Sequence, residues 1–234
     1  MHIATQDIIR TGTFVKSAAL GLLLAFSAAS AQDKPLTLHF LAFPKQLKPE
    51  PVELLIGDGK TIEVQTPGHE LSEPYKVPAM STIAVGKTET NEEGEPFFNV
   101  FGKAKSLGSS DQIVLLVRKG KNNSDGFAVL PIDSELGNFG GGSFFLINAS
   151  KVSIRGIMGD LKLELKPGKR QFVTPKASHD GNLCHVTFFY DRKDKWKKFR
   201  DTRWSLSKRC RTLVFFYQDP ESGRLGIAPI VDFL

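Results

Sequence analysis

The sequence predicts an all-β protein made of two tandem β-sandwich, immunoglobulin-like units related by an internal repeat of about 100 residues. Three observations carry this. Almost every apolar stretch is short, rich in Val, Ile and Phe, and bounded by Gly, Pro, Asn or Asp, which is the pattern of strands and turns. No stretch of helix length keeps helical spacing without a breaker. The two halves also resemble each other, in the same order along the chain.

Taken from the N-terminus, Arg10 and Lys16 precede a short apolar run, Ala18–Ala29, that ends in Ala29-Ser30-Ala31. Small residues in that spacing are what a signal peptidase cuts. A run of about a dozen apolar residues is too short to span a bilayer. Residues 1–31 are therefore expected to be a signal peptide cleaved after Ala31. The chain is then exported to the periplasm or beyond the cell, with no transmembrane segment in its mature part.

Residues 36–134 form the first expected unit. "LTLHFLAF", "VELLIGDGKTIEV", "PFFNVFGKAK", "QIVLLVRK" and "GFAVLPID" read as strands, and Gly57-Asp58-Gly59 as a hairpin turn, because Gly and Asp tolerate the positive φ a tight turn needs. Residues 135–142, "ELGNFGGG", are the expected Gly-rich linker. Glycine there suits a tether or a sharp start to the next strand. The stretch lacks the Lys-Ser/Thr that would mark a phosphate loop.

Residues 143–234 form the second, basic unit, with "SFFLINAS", "KVSIRGIM", "CHVTFFY", "TLVFFYQD" and "LGIAPIVDF" as strands. "DLKLELK" alternates strictly, Leu161, Leu163 and Leu165 against Lys162, Glu164 and Lys166, as a half-buried strand does. The repeat matches Val52 with Val152, Pro67-Gly68 with Pro167-Gly168, Val114 with Val214, and Pro131 with Pro229, at offsets of 100, 100, 100 and 98.

The formal net charge of +6 is unevenly placed. Without residues 1–31, which hold two positive charges and one negative, it is +5; residues 32–134 carry −3 and residues 135–234 carry +8. Such asymmetry points to an anionic partner for the second half.

"FFLINAS…LKLELKPGKRQFV" is similar to small secreted bacterial β-sandwich units of unknown function, in which a strand ending in Asn-x-Ser precedes a Leu-rich hairpin closed by Pro-Gly. "KWKKFRDTRW…RTLVFFY" resembles the end of an uncharacterised family of exported bacterial proteins. The likeness implies export and a β-sandwich. It supplies no catalytic residues.

Signatures of chemistry are sparse. His39, His69, His179 and His185 fall in no His-Glu-x-x-His arrangement, and neither cysteine belongs to a Cys-x-x-Cys, so no metal is expected. No cofactor motif occurs, and Gly-x-Ser-x-Gly is absent. Cys184 beside His185 would place thiol and imidazole on opposite faces of a strand, where they cannot share a proton. Cys184 and Cys210 are instead the candidate disulfide, which requires their strands to be neighbours or to face each other across a sandwich. "TETNEEGEP" gathers Glu89, Glu92, Glu93 and Glu95 and reads as a solvated hairpin tip. Asn148-Ala149-Ser150 and Asn122-Asn123-Ser124 fit the glycosylation sequon, which matters only in a eukaryotic host.

The densest feature is "DRKDKWKKFRDTRWSLSKRCR", residues 191–211, with ten Lys or Arg and two Trp. It reads as a turn near Lys193-Asp194, a middle strand from Trp196 to Trp204, and a second turn into strand 210–217. On that strand Trp196, Lys198, Arg200, Thr202 and Trp204 share one parity. Two indoles beside cations suit anionic sugars. The expected polyanion-binding residues are Lys195, Trp196, Lys197, Lys198, Arg200, Arg203 and Trp204. Alternatively, the lysines only guard an exposed edge. The expected function is non-catalytic binding or scaffolding at anionic envelope polysaccharide or lipid headgroups, export making nucleic acid an unsuitable partner. Alternatives are a polysaccharide hydrolase with carboxylates on distant strands and a structural subunit of an envelope assembly.

Overall fold

A strand buried on both faces carries a continuous apolar run, and a strand buried on one face alternates. The computed structural model describes residues 34–45, 50–120, 123–176, 182–193, 195–219 and 222–234; the expected signal peptide lies outside them. In the first half, the strands are β1 (Leu36–Phe43), β2 (Val52–Gly57), β3 (Lys60–Val64), β4 (Tyr75–Val77), β5 (Thr82–Thr90), β6 (Pro96–Lys105), β7 (Asp111–Arg118) and β8 (Phe127–Asp133). In the second they are β9 (Phe144–Asn148), β10 (Ile154–Met158), β11 (Leu161–Leu165), β12 (Arg170–Val173), β13 (Leu183–Arg192), β14 (Lys195–Ser205), β15 (Cys210–Gln218) and β16 (Leu225–Phe233). Among the described residues, no helix is long and apolar enough to cross a membrane.

The halves share one topology. The first pairs a β3-β2-β5-β6 sheet with a β4-β1-β7-β8 sheet, and the second pairs β11-β10-β13-β14 with β12-β9-β15-β16. Numbered within its own half, each strand has the same neighbours. The parallel pairs are also equivalent, β1 with β7 and β9 with β15. Val114 pairs with Pro131 and Val214 with Pro229. Pro67-Gly68 and Pro167-Gly168 fall in the corresponding connections, β3 to β4 and β11 to β12. One match is corrected. Val52 pairs with Val64 while Ile154 pairs with Leu165, so Val52 corresponds to Ile154, and Val152 lies ahead of its strand.

Continuous apolar runs mark the central strands of the inner sheets, β1 and β7 in the first half and β9 and β15 in the second, which are buried on both faces. Along β7, Val114 and Leu116 enter the core of the first sandwich, while Ile113 and Leu115 point the other way. Along β15, Val214 and Phe216 enter the second core, and Leu213 and Phe215 meet the residues from β7. This third core joins the sandwiches, with Phe43 stacked on Phe215 at 4.4 Å between centroids. The result is four stacked sheets.

The Gly-rich stretch is part of that joint. Phe139 is fully buried in the third core, and Arg211 donates to the Phe139 and Ser134 carbonyls. A Cβ on Gly141 would lie 1.9 Å from the Lys208 carbonyl oxygen, so glycine here permits a close approach of two backbones. The expected tether is a packed corner.

Asn148 explains the Asn-x-Ser at the end of β9. It is fully buried; its Nδ2 donates to the Val152 and Leu165 carbonyls, and its Oδ1 accepts from Ser150 N–H and Oγ–H. With both polar atoms occupied inside the fold, it has no face to offer a glycan. The other sequon begins at Asn122, outside the described residues.

Candidate functional site

The basic stretch folds as the expected hairpin at its start only. β13 ends at Arg192 and β14 begins at Lys195, with Lys193 at a φ of 53°, the left-handed conformation a two-residue turn requires. The second expected turn is corrected. Among the described residues β14 pairs only with β13, at the edge of the outer sheet, and the chain then crosses to the inner sheet, where β15 pairs with β9 and β16. "TLVFFY" has apolar residues on both faces, and an outer strand could bury only one.

A β-bulge overturns the single-face arrangement. Phe188 pairs with Arg200 but Phe189 pairs with Lys198, leaving Phe199 as the extra residue. The bulge shifts parity along the strand. Trp204 therefore points inward, against Phe144 at 5.5 Å and Phe188 at 5.6 Å. Trp196 lies on the outer face, with the Arg155 guanidinium 4.0 Å from its ring centroid. The two indoles cannot form one platform. The same bulge occurs in the first sandwich, between Val85 and Gly86, with Phe101 extra, and Phe101 and Phe199 both pack on their cores.

This division makes a stability prediction. Trp204→Ala should cost about 2 kcal/mol, below the 3–5 of a fully buried aromatic because its ring is partly exposed. Trp196→Ala should cost about 0.5–1 kcal/mol, the worth of an exposed cation–π contact. Urea unfolding of both variants checks the order.

The other expected residues scatter. Arg200 and Arg203 are exposed, and Lys195 sits at the hairpin's end beside Arg192. On the outer face, Lys198 Nζ meets Asp201 Oδ2 at 2.9 Å and His185 Nε2 meets Asp201 Oδ1 at 2.7 Å. The Lys198 hydrogen bond, then that of His185, holds the Asp201 carboxyl below the usual range. Cys184 faces the opposite way, fully buried, where desolvation raises its thiol pKa. Cys184 and Cys210 are both free thiols, on the outer and inner sheets respectively.

A cation-lined cleft forms where the end of this hairpin meets the β15–β16 connection. Its volume is about 520 Å³, and Val152, Tyr190, Arg192, Lys197, Lys198, Phe199, Gln218, Gly223, Arg224 and Leu225 line it. Tyr190 and Phe199 make an edge-to-face pair at 5.7 Å. Arg192, Lys197, Lys198 and Arg224 line this space, and none of its described lining residues is a carboxylate. Among the described residues, Arg192, Lys197 and Arg224 have no ion-pair partner, whereas Lys198 is committed to Asp201. Only Lys197 and Lys198 come from the residues expected to bind. Arg192 was visible in the basic stretch. Arg224 comes from the turn before β16, and no local pattern marks it.

The first sandwich has a cleft at the corresponding place, with the opposite charge. It measures about 470 Å³ and includes Glu50, Glu53, Glu63, Lys87, Glu89, Phe101 and Asn123 in its wall. Thr88 hydrogen-bonds the Glu53 carboxylate, 2.5 Å from Oγ1 and 3.1 Å from N, and lowers its pKa. Register makes Glu89 of this cleft equivalent to Arg192 of the other, three residues beyond the paired bulge in each case. No family model matches the chain, and no curated protein matches its sequence.

Proposed function

We propose that this is a non-catalytic binding or scaffolding protein, acting outside the cytoplasm, that holds an anionic polymer of the cell envelope at the basic cleft. The observation that carries this reading is the cleft itself, lined by Arg192, Lys197, Lys198 and Arg224 beside Tyr190 and Phe199, with no carboxylate among the described residues of its wall. Its volume lies in the range of ligand sites, roughly 300–1,000 Å³. Cations over a few ångströms neutralise successive charges on a chain, while Tyr190 and Phe199 offer ring surface to a sugar. The leader-like N-terminus, Arg10 to Ala31, supports export and favours a polysaccharide or headgroup surface over nucleic acid.

Binding to polygalacturonate, a linear polyuronate, should weaken steeply with salt, since each neutralised charge releases a counterion. Replacing Arg192, Lys197 and Arg224 together by Ala should flatten the logarithmic salt dependence by about two to three units, at roughly 0.7–0.9 per contact. Exposed substitutions of this kind leave stability within about 0.5 kcal/mol, so the loss reports binding. A triple variant that keeps the parent's affinity at low salt would remove the cleft from the function.

A further inference from the structure

We propose that copies of this chain associate head to tail, the acidic β5–β6 hairpin tip of one seating in the basic cleft of the next. The tip is built rather than slack. Asn91 Oδ1 accepts the backbone N–H groups of Glu93 at 3.0 Å and Glu95 at 2.8 Å. Asn91 N–H donates to the Glu95 carbonyl at 2.9 Å, and Gly94 N–H to the Asn91 carbonyl at 3.1 Å. Gly94 has a φ of +84°, which a side chain would resist. The turn thus holds Glu92, Glu93 and Glu95 exposed on one projection, and among the described residues none of the three has an ion-pair partner.

Three carboxylates on a convex tip match three cations, Arg192, Lys197 and Arg224, around a concave cleft, and among the described residues none of the six has an ion-pair partner. Within one chain, no ion pair joins the two groups among the described residues. A preordered tip loses little entropy on docking, and complementary charge steers the encounter and selects the partner. Tip and cleft are different surfaces, so each copy retains one of each after pairing. Such a heterologous contact propagates into rings or open filaments. This goes beyond polymer binding and competes with it, because the tip occupies the cleft that the polymer would fill.

Sedimentation velocity on the purified protein tests this with two charge-reversed variants. Glu92→Lys, Glu93→Lys, Glu95→Lys makes the tip basic, and Arg192→Glu, Lys197→Glu, Arg224→Glu makes the cleft acidic. The parent's mean mass should rise with concentration at low salt and fall to that of one chain near 1 M, where the Debye length is about 3 Å. Each variant alone should lose association by on the order of a hundredfold, since like charges now meet. An equimolar mixture should restore it, each variant's tip again facing a cleft of opposite sign. Polygalacturonate should dissociate the parent's assemblies. A parent that stays a single chain at every concentration, or variants that associate as it does, would overturn the proposal. The tip variant keeps its native cleft, so its affinity for polygalacturonate separately reports whether the polymer-binding reading holds.

Discussion

Arg211→Ala is expected to destabilise the protein by about 3–5 kcal/mol, the usual cost of removing one partner from a buried ion pair. Arg211 is 4% exposed. Its Nε lies 2.6 Å from Asp232 Oδ2, and its Nη1 donates to the carbonyls of Ser134 and Phe139. The guanidinium also sits 4.9 Å from the Phe139 ring centroid. Truncation leaves a half-enclosed carboxylate and two carbonyls without their donor. Against a total stability of roughly 5–15 kcal/mol, that loss is large. Urea unfolding should show it as a lower midpoint, and proteolysis should cut more readily near residues 135–142. If the Gly-rich stretch were a slack tether, both measurements would stay close to the parent's.

Phe139→Ala is expected to cost about 3–5 kcal/mol, the range for an aromatic ring deleted from a closed core. The ring is fully buried, 5.3 Å from Phe172 and 6.3 Å from Phe145. It packs in the cluster that also holds Leu41, Ile113 and Leu115 from the first sandwich. The cavity should therefore weaken the joint as well as the second sandwich. Phe139 and Arg211 touch, so their costs should not add. A double-mutant cycle should give a coupling of about 0.5–3 kcal/mol, and simple additivity would mean that the two side chains act independently.

The basic stretch shows where local reading stops. Its turn at Lys193 was legible, because strand signals on both sides leave room for only two residues. Its faces were not. Parity counts from Trp196 to Trp204 assume an unbroken strand, and the extra residue at Phe199 reverses that count. Arg211 stands in the same run of charges and would be taken for another surface cation, yet it is the most enclosed charge among the described residues. The cleft draws Arg192 and Lys197 from one hairpin and Arg224 from a connection some thirty residues further on. Sequence patterns describe each segment's two faces but not which distant segment lies opposite.

The repeat was recoverable because both halves obey the same local constraints. Turn residues, alternation and a Val–Pro cross-strand pair recur in order, and those depend on neighbours within a few residues or across one ladder. The stacking of the halves was a different matter. "QIVLLV" and "TLVFFY" announce burial on both faces, but an apolar run is equally satisfied by a helix, a second sheet or another chain. Burying Ile113 and Leu115 against Leu213 and Phe215 is a choice among long-range partners, made by shape and area rather than by spacing. Charge divides the same way. Composition alone places the excess of cations in the second half, because net charge is a sum over residues. The convergence of three cations on one cleft, and of three carboxylates on one tip, depends on how the strands are ordered in space.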